Sequence, residues 1–338
     1  MRPLTLPILI AVLTFPTATI AADIKLNTDK ETGWKIYSIQ QGSTIAKLVP
    51  DAGCNVMSLS VDGVEYFHQP PKLEDLAGVS SGNPILYPTP NRVKQSKFTF
   101  RGKTFVLDEN QKHNFIHGLV NRSHWQVVGM EIDSHHAAIR CKVAFAEGTE
   151  EFRGFPLTHD FHMTVSVTDR AVRWTYEVDN SEGDSAVPFG VALHPYFVYQ
   201  GDRAETYLTI PATHQMEPTS ELLMTGKLIP ASELSHALNE PIPLKDAKFD
   251  TVFFGLTNEK PTVVDFRSMK RTVTLNASDE FTHLVVWTPD RDYFGIENQT
   301  CSTDAHNLAA SGKEKEAHLQ VCEPGKKMTG WVEYQIGR

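Results

Sequence analysis

Cysteine is scarce here, and the four residues spread over 338 cannot make the disulfide framework of a small secreted scaffold. Cys141 alternates in phase with Ile139, Val143 and Phe145 and reads as a small buried hydrophobe, and Cys54 lies in a similar stretch. Cys301 and Cys322 are the one pair to weigh as a bridge. Positive charge is also in short supply. A net charge of −9 offers no basic face to a nucleic acid and suits a neutral or cationic small molecule better, although a local Arg can still hold an anion.

Metal ligands at workable spacing are missing. His113 and His117 stand four apart, but Gly118 and the surrounding strand pattern oppose a helix that would bring them together. His159 and His162, three apart, fall on opposite faces of a strand, so zinc is discounted. No fixed-period repeat and no Pro/Gly/Ser-rich linker divides the chain. No apolar run reaches the roughly 20 residues that span a bilayer. Leu4 to Leu13 falls short and is flanked by Pro16 and interrupted by Pro7. With Arg2 before it and small residues from Ala18 to Ala22 after it, this stretch reads as a secretory signal. The expectation is a signal over residues 1–22 and one domain over 23–338, exported to a periplasmic or extracellular space, without a membrane anchor once the signal is removed.

What is present is a period of two. Thr44 to Val49 and Asn55 to Val61 read as strands, and Asp62-Gly63 before Val64 is a two-residue hairpin turn. Lys97 to Leu107 repeats that plan around Arg101 and Gly102. In Ala171 to Val178 the pattern is cleanest, with Val172, Trp174, Tyr176 and Val178 on one face and Arg173, Thr175, Glu177 and Asp179 on the other. Similar runs continue to Trp331–Ile336, and one short helix is expected around Ser232–Leu238. The fold class these imply is all-β, a large antiparallel β-sandwich.

Chemistry gathers at strand ends. Phe189 to Tyr199, FGVALHPYFVY, reads as a buried strand that Pro195 ends, leaving His194 where a rigid sheet can present an imidazole to a pocket. A core histidine bonded to a backbone carbonyl is the plain alternative. Asn91 and Arg92 follow a Pro-rich turn, and Arg92 offers a fixed fork of donors suited to hydroxyls or anions. His117 precedes Gly118, a residue that allows close backbone approach. Asp250 stands at the mouth of an apolar strand, and Glu297 leaves another after Tyr293–Ile296. Partial burial there raises a carboxylate toward the range of a general base, unless a neighbouring cation pairs with it.

In this order, the segments Pro50–Gly53, Asn91–Arg92, His117–Gly118, His194–Phe197, Phe249–Asp250, Gly295–Glu297, Asp304–Asn307 and Glu323–Gly325 resemble the aldose 1-epimerase (galactose mutarotase) family. The resemblance implies a galactose mutarotase-like supersandwich and a cofactor-free isomerase that interconverts the α and β anomers of a free aldohexose. It also implies that Glu297 takes the proton of the C1 hydroxyl and His194 protonates the ring oxygen, while Arg92, His117 and Asp250 hold sugar hydroxyls. Asn91 and Tyr196 belong to the same matched segments and are expected at the substrate; Tyr196, Phe254 or Trp287 can supply a stacking face. Leu119 and Val198 replace a glycine and an asparagine common in the family, which bears on the choice of sugar. A monomer or dimer is expected. Competing readings are a hexose-6-phosphate 1-epimerase, a non-catalytic carbohydrate-binding protein on the same fold, and a glycosidase pairing Asp250 with Glu297.

Overall fold

A computed structural model describes residues 21–338, so nearly all of the proposed signal lies outside the described residues. Three antiparallel sheets carry the architecture, with five, nine and eight strands. The five-stranded sheet runs in sequence order from Asp23–Thr28 to Val64–Glu65, and its last hairpin turns at Asp62 and Gly63, both at positive φ. In the nine-stranded sheet, Gln126–Ile132, Ala137–Phe145, His159–Thr168 and Ala171–Asn180 follow one another as a meander. Lys326–Gly337 comes next, and Arg271–Ala277, Thr262–Phe266, Thr206–Thr209 and Ile242–Pro243 complete it.

The alternation in Ala171–Asn180 explains why this sheet has a dry and a wet side. Val172, Trp174, Tyr176 and Val178 are buried. On the other face Glu177 pairs with Arg140 at 2.9 Å across the intervening strand, while the pairs of Asp179 with Lys327 at 2.6 Å and Arg173 with Glu333 at 3.0 Å join this strand to Lys326–Gly337. Such partly exposed pairs add little each. Burial of the aromatic face does far more, and truncating a ring such as Trp174 to Ala costs about 3–5 kcal/mol. Trp174 and Tyr334 of this sheet share one core with Phe253, Leu284, Phe294 and Ile296 of the eight-stranded sheet and with Ile39, Leu48 and Leu59 of the five-stranded one. The sandwich expected from the sequence is therefore the fold observed.

The eight-stranded sheet has a second face away from that core. Met216, Val252, Phe254 and Val285 there pack against Leu308 and Ala305 of the helix Ala305–Ala310.

Three expectations are corrected. Phe189 to Tyr199 is not one strand but Val187–Phe189, paired with Gln320–Cys322, and Ala192–Leu193 and Tyr196–Val198, which pair separately along Tyr293–Gln299, the former also with Ile85–Leu86. Gly190 sends its N–H to the Pro88 carbonyl instead of a ladder, and Pro195 has no N–H to give. Ser232–Leu238 is not a helix: only the 3₁₀ turn Ala231–Glu233 forms, and the Leu238 carbonyl is drawn off to accept from Ile210 N–H. Cys301 and Cys322 are both free thiols, because Cys301 lies in the cluster under the helix and Cys322 in the main core.

Candidate functional site

Glu297 owes its direction to strand alternation. Phe294 and Ile296 of Tyr293–Gln299 point into the core, so Tyr293, Gly295, Glu297 and Gln299 share the opposite face. Register puts Asp250, Trp287, Gly295 and Tyr196 side by side across four strands, and Val252, Val285 and Glu297 in the next row. Gly295 leaves the first row without a side chain between Trp287 and Tyr196.

His194 enters from the short link between Ala192–Leu193 and Tyr196–Val198, with its N–H fixed on the Pro84 carbonyl at 3.0 Å. Its Nε2 lies 3.2 Å from Glu297 Oε1. The second oxygen, Oε2, accepts from Gln299 Nε2 at 3.0 Å. Below His194 the Tyr196 ring is stacked at 4.8 Å between centroids, and the His117 ring lies 5.3 Å away. Tyr196 is locked by donating its hydroxyl to the Val79 carbonyl at 2.9 Å, so it offers a ring face and not a hydroxyl to a ligand.

Burial dominates the electrostatics. It pushes the Glu297 carboxyl up to about 8; the Gln299 hydrogen bond opposes that rise, Asp250 adds to it, and Arg92 opposes it. His194 is pushed down to about 4 by burial. Between those values the contacting pair therefore holds one proton. Burial, then the proximity of His194 and Arg92, hold His117 well below the usual histidine range, so it is a neutral donor and acceptor at pH 7.

Arg92 is held by Asn91, whose Oδ1 accepts from both the Arg92 N–H at 2.9 Å and Arg92 Nη1 at 3.1 Å. Asn91 thus acts on Arg92, with its carbonyl also accepting from His117 N–H at 3.1 Å. Gly118 has to be glycine: its φ is +72° and a Cβ would strike the Tyr87 carbonyl. Asp250 is exposed at its strand mouth, within electrostatic reach of both Arg92 and Glu297. Phe254 is packed beneath His283 in the helix-covered cluster, which leaves Trp287 beside Asp250 as the stacking candidate.

The model of the family described as aldose 1-epimerase matches residues 35–335. The chain belongs to the aldose 1-epimerase family. A galactose mutarotase-like protein from Clostridium acetobutylicum shares its fold with a TM-score of 0.83 at 22% identity, over 94% of this chain and 99% of that one. A galactose 1-epimerase from Lactobacillus acidophilus superposes with a TM-score of 0.74 at 14% identity, covering 94% and 98% of the two chains. For a putative aldose 1-epimerase from Escherichia coli K12 the TM-score is 0.74 at 18% identity, covering 90% and 99%.

Within this member of the aldose 1-epimerase family, two residues near the centre escaped the sequence reading. Gln299 was legible in principle, since a residue two beyond Glu297 on a strand must share its face. Asp304 was not. It bridges the ends of the site, its N–H donating to the Arg92 carbonyl at 2.9 Å and its Oδ1 accepting from Lys94 N–H at 3.0 Å. Two clusters among the described residues bring three metal-ligating side chains together, Glu131 with Asp133 and His136, and His162 with Glu177 and Asp179. Neither includes a candidate-site residue, and in the second both carboxylates are already paired with Arg140 or Lys327.

Proposed function

We propose that the protein is an aldose 1-epimerase acting on a free aldohexose, with Glu297 and His194 as its base and acid. What carries this reading is the 3.2 Å contact of a buried carboxyl and a buried imidazole. O1 and O5 of a pyranose are both bonded to C1, so a base for one and an acid for the other have to stand close together.

In the forward step the Glu297 carboxylate takes the proton from the O1 hydroxyl as the C1 carbonyl forms. The C1–O5 bonding pair goes to O5, which takes a proton from His194. Rotation about C1–C2 presents the other carbonyl face, O5 attacks C1 and returns its proton to His194, and the carbonyl oxygen, becoming O1, takes its proton back from Glu297. The pair carries one proton throughout, on His194 with the closed sugar and on Glu297 with the open one. Each positioned group contributes typically 10²–10⁴-fold. Gln299 serves the closed-sugar state by donating to the carboxylate. Arg92, His117 and Asp250 hold hydroxyls, and Trp287 faces the apolar side of the ring.

Anomer equilibration followed by polarimetry or NMR over a panel of free and phosphorylated aldoses tests the proposal. Faster equilibration of a free aldohexose, abolished in Glu297→Gln and His194→Ala, is the expected result. Binding without acceleration favours a non-catalytic carbohydrate-binding protein, acceleration confined to phosphorylated sugars favours the hexose-6-phosphate enzyme, and hydrolysis products favour a glycosidase. Residues 1–22 are proposed as an export signal; Edman sequencing of the cell-envelope protein is expected to start near Ala22 or Asp23.

A further inference from the structure

His162 is an imidazole that the fold encloses and then leaves unused. It stands on the face of His159–Thr168 turned away from the core and is only 9% exposed. Its Nδ1 is buried with no partner, and the ring makes no hydrogen bond among the described residues. Buried polar groups normally find partners, so an idle imidazole at this depth points to a ligand.

Its surroundings form a donor set that spacing along the chain does not reveal. Register places Glu177 directly opposite His162, and Asp179, two residues further on, shares that face. One ring nitrogen of His162 and one oxygen from each carboxylate lie within 4.8 Å of one another. Each carboxylate has one oxygen held from behind: Glu177 Oε1 accepts from Arg140 at 2.9 Å, and Asp179 Oδ1 accepts from the Ser181 N–H at 3.1 Å. Glu177 Oε2 makes no hydrogen bond among the described residues. Asp179 Oδ2 meets Lys327 Nζ at 2.6 Å, and the same ammonium is 3.5 Å from Glu177. A cation therefore already stands between the two carboxylates. Its side chain is 53% exposed on a flexible stem, so it can swing into water.

We propose that His162, Glu177 and Asp179 bind one divalent transition-metal ion, which displaces the Lys327 ammonium. One imidazole with two carboxylates fits zinc, with a fourth position open to water, better than the all-oxygen shells of magnesium or calcium. Arg140 and Ser181 keep their hold on the other carboxylate oxygens and so orient the ligands. The cluster of Glu131, Asp133 and His136 is no equivalent, because both ring nitrogens of His136 already face carboxylates. The bound ion clips His159–Thr168 to Ala171–Asn180 on their outer side and raises the stability of the fold.

Calorimetric titration of the untagged protein with zinc chloride, with magnesium chloride as the control, tests the proposal alongside His162→Ala and Lys327→Ala. Zinc is expected to bind and to raise the melting temperature, while magnesium does neither. Affinity for zinc should fall about tenfold or more in His162→Ala, which loses a ligand. It should rise about twofold to fivefold in Lys327→Ala, where no partly exposed ion pair has to be broken. Lys327 is a surface residue, so its variant keeps the test standing should His162→Ala fail to fold. No zinc binding, equal binding of magnesium, an affinity unchanged in His162→Ala, or one that does not rise in Lys327→Ala overturns the proposal.

Discussion

Glu297→Gln separates the electrostatic argument from the chemical one, because it also changes how stability depends on pH. Burial holds the wild-type carboxyl at about 8 against an ordinary 4.5. The folded-state value is the raised one, so this group's contribution to stability is complete below pH 4.5 and is lost as pH rises through about 8. At 1.36 kcal/mol per pH unit the full loss is about 5 kcal/mol. His194 works in the opposite sense: its depressed value contributes above pH 6.5 and is lost as pH falls through about 4. Above pH 6.5 it is neutral in both states, so from 6.5 to 8 Glu297 acts alone, and the wild type should lose about 2 kcal/mol relative to the Gln variant. Urea unfolding followed by Trp fluorescence measures this, with the variant-minus-wild-type difference cancelling the other titrating groups. The same variant should lose about 10²–10⁴ in turnover. Stability curves that run parallel from pH 6.5 to 8 mean that the folded carboxyl is already ionised, and the burial argument is then refuted.

Four further outcomes are expected. The turnover profile against pH should be bell-shaped, with limits near 4 and 8 that belong to the His194–Glu297 pair; a flat profile from pH 5 to 9.5 counts against the pair. Gln299→Leu removes a hydrogen bond to a charged group, worth about 1.5–3 kcal/mol, and should move the alkaline limb up by about one to two pH units. In Gly295→Ala the added Cβ meets only ordinary contacts, 3.6 Å from Trp287 and the Pro195 carbonyl and 3.7 Å from the His194 ring, so the melting temperature should hold while a methyl in the row beside His194 lowers turnover, by up to about 10²-fold. Gly118→Ala should destabilise by about 1–3 kcal/mol in the same urea assay, since alanine there combines a left-handed backbone with a clash at the Tyr87 carbonyl.

Long strands were legible because one buried face and one wet face leave a period of two in the chain, as in Ala171–Asn180 and Ala137–Phe145. Short pieces were not. Ala192–Leu193 and Tyr196–Val198 are too brief to carry a period, and both faces of this segment are buried, so the run looked continuous. Burial of Glu297 could be argued from Tyr293–Ile296, but its meeting with His194 depends on pairing between Tyr196–Val198 and Tyr293–Gln299. Local pattern carries no register between segments so far apart, and the family resemblance supplied what periodicity could not. Asn91 was expected at the substrate; its left-handed backbone, at φ +61°, comes with an Oδ1 that accepts from the Arg92 N–H and guanidinium, a contact no local pattern announces.

Lys326–Gly337 lies fifth among the nine strands, between Ala171–Asn180 and Arg271–Ala277. During synthesis on a ribosome, therefore, two four-strand blocks emerge with facing edges bare, and neither can close on the other until this late segment has left the exit tunnel. The two blocks stay unlocked until this one segment pairs with both.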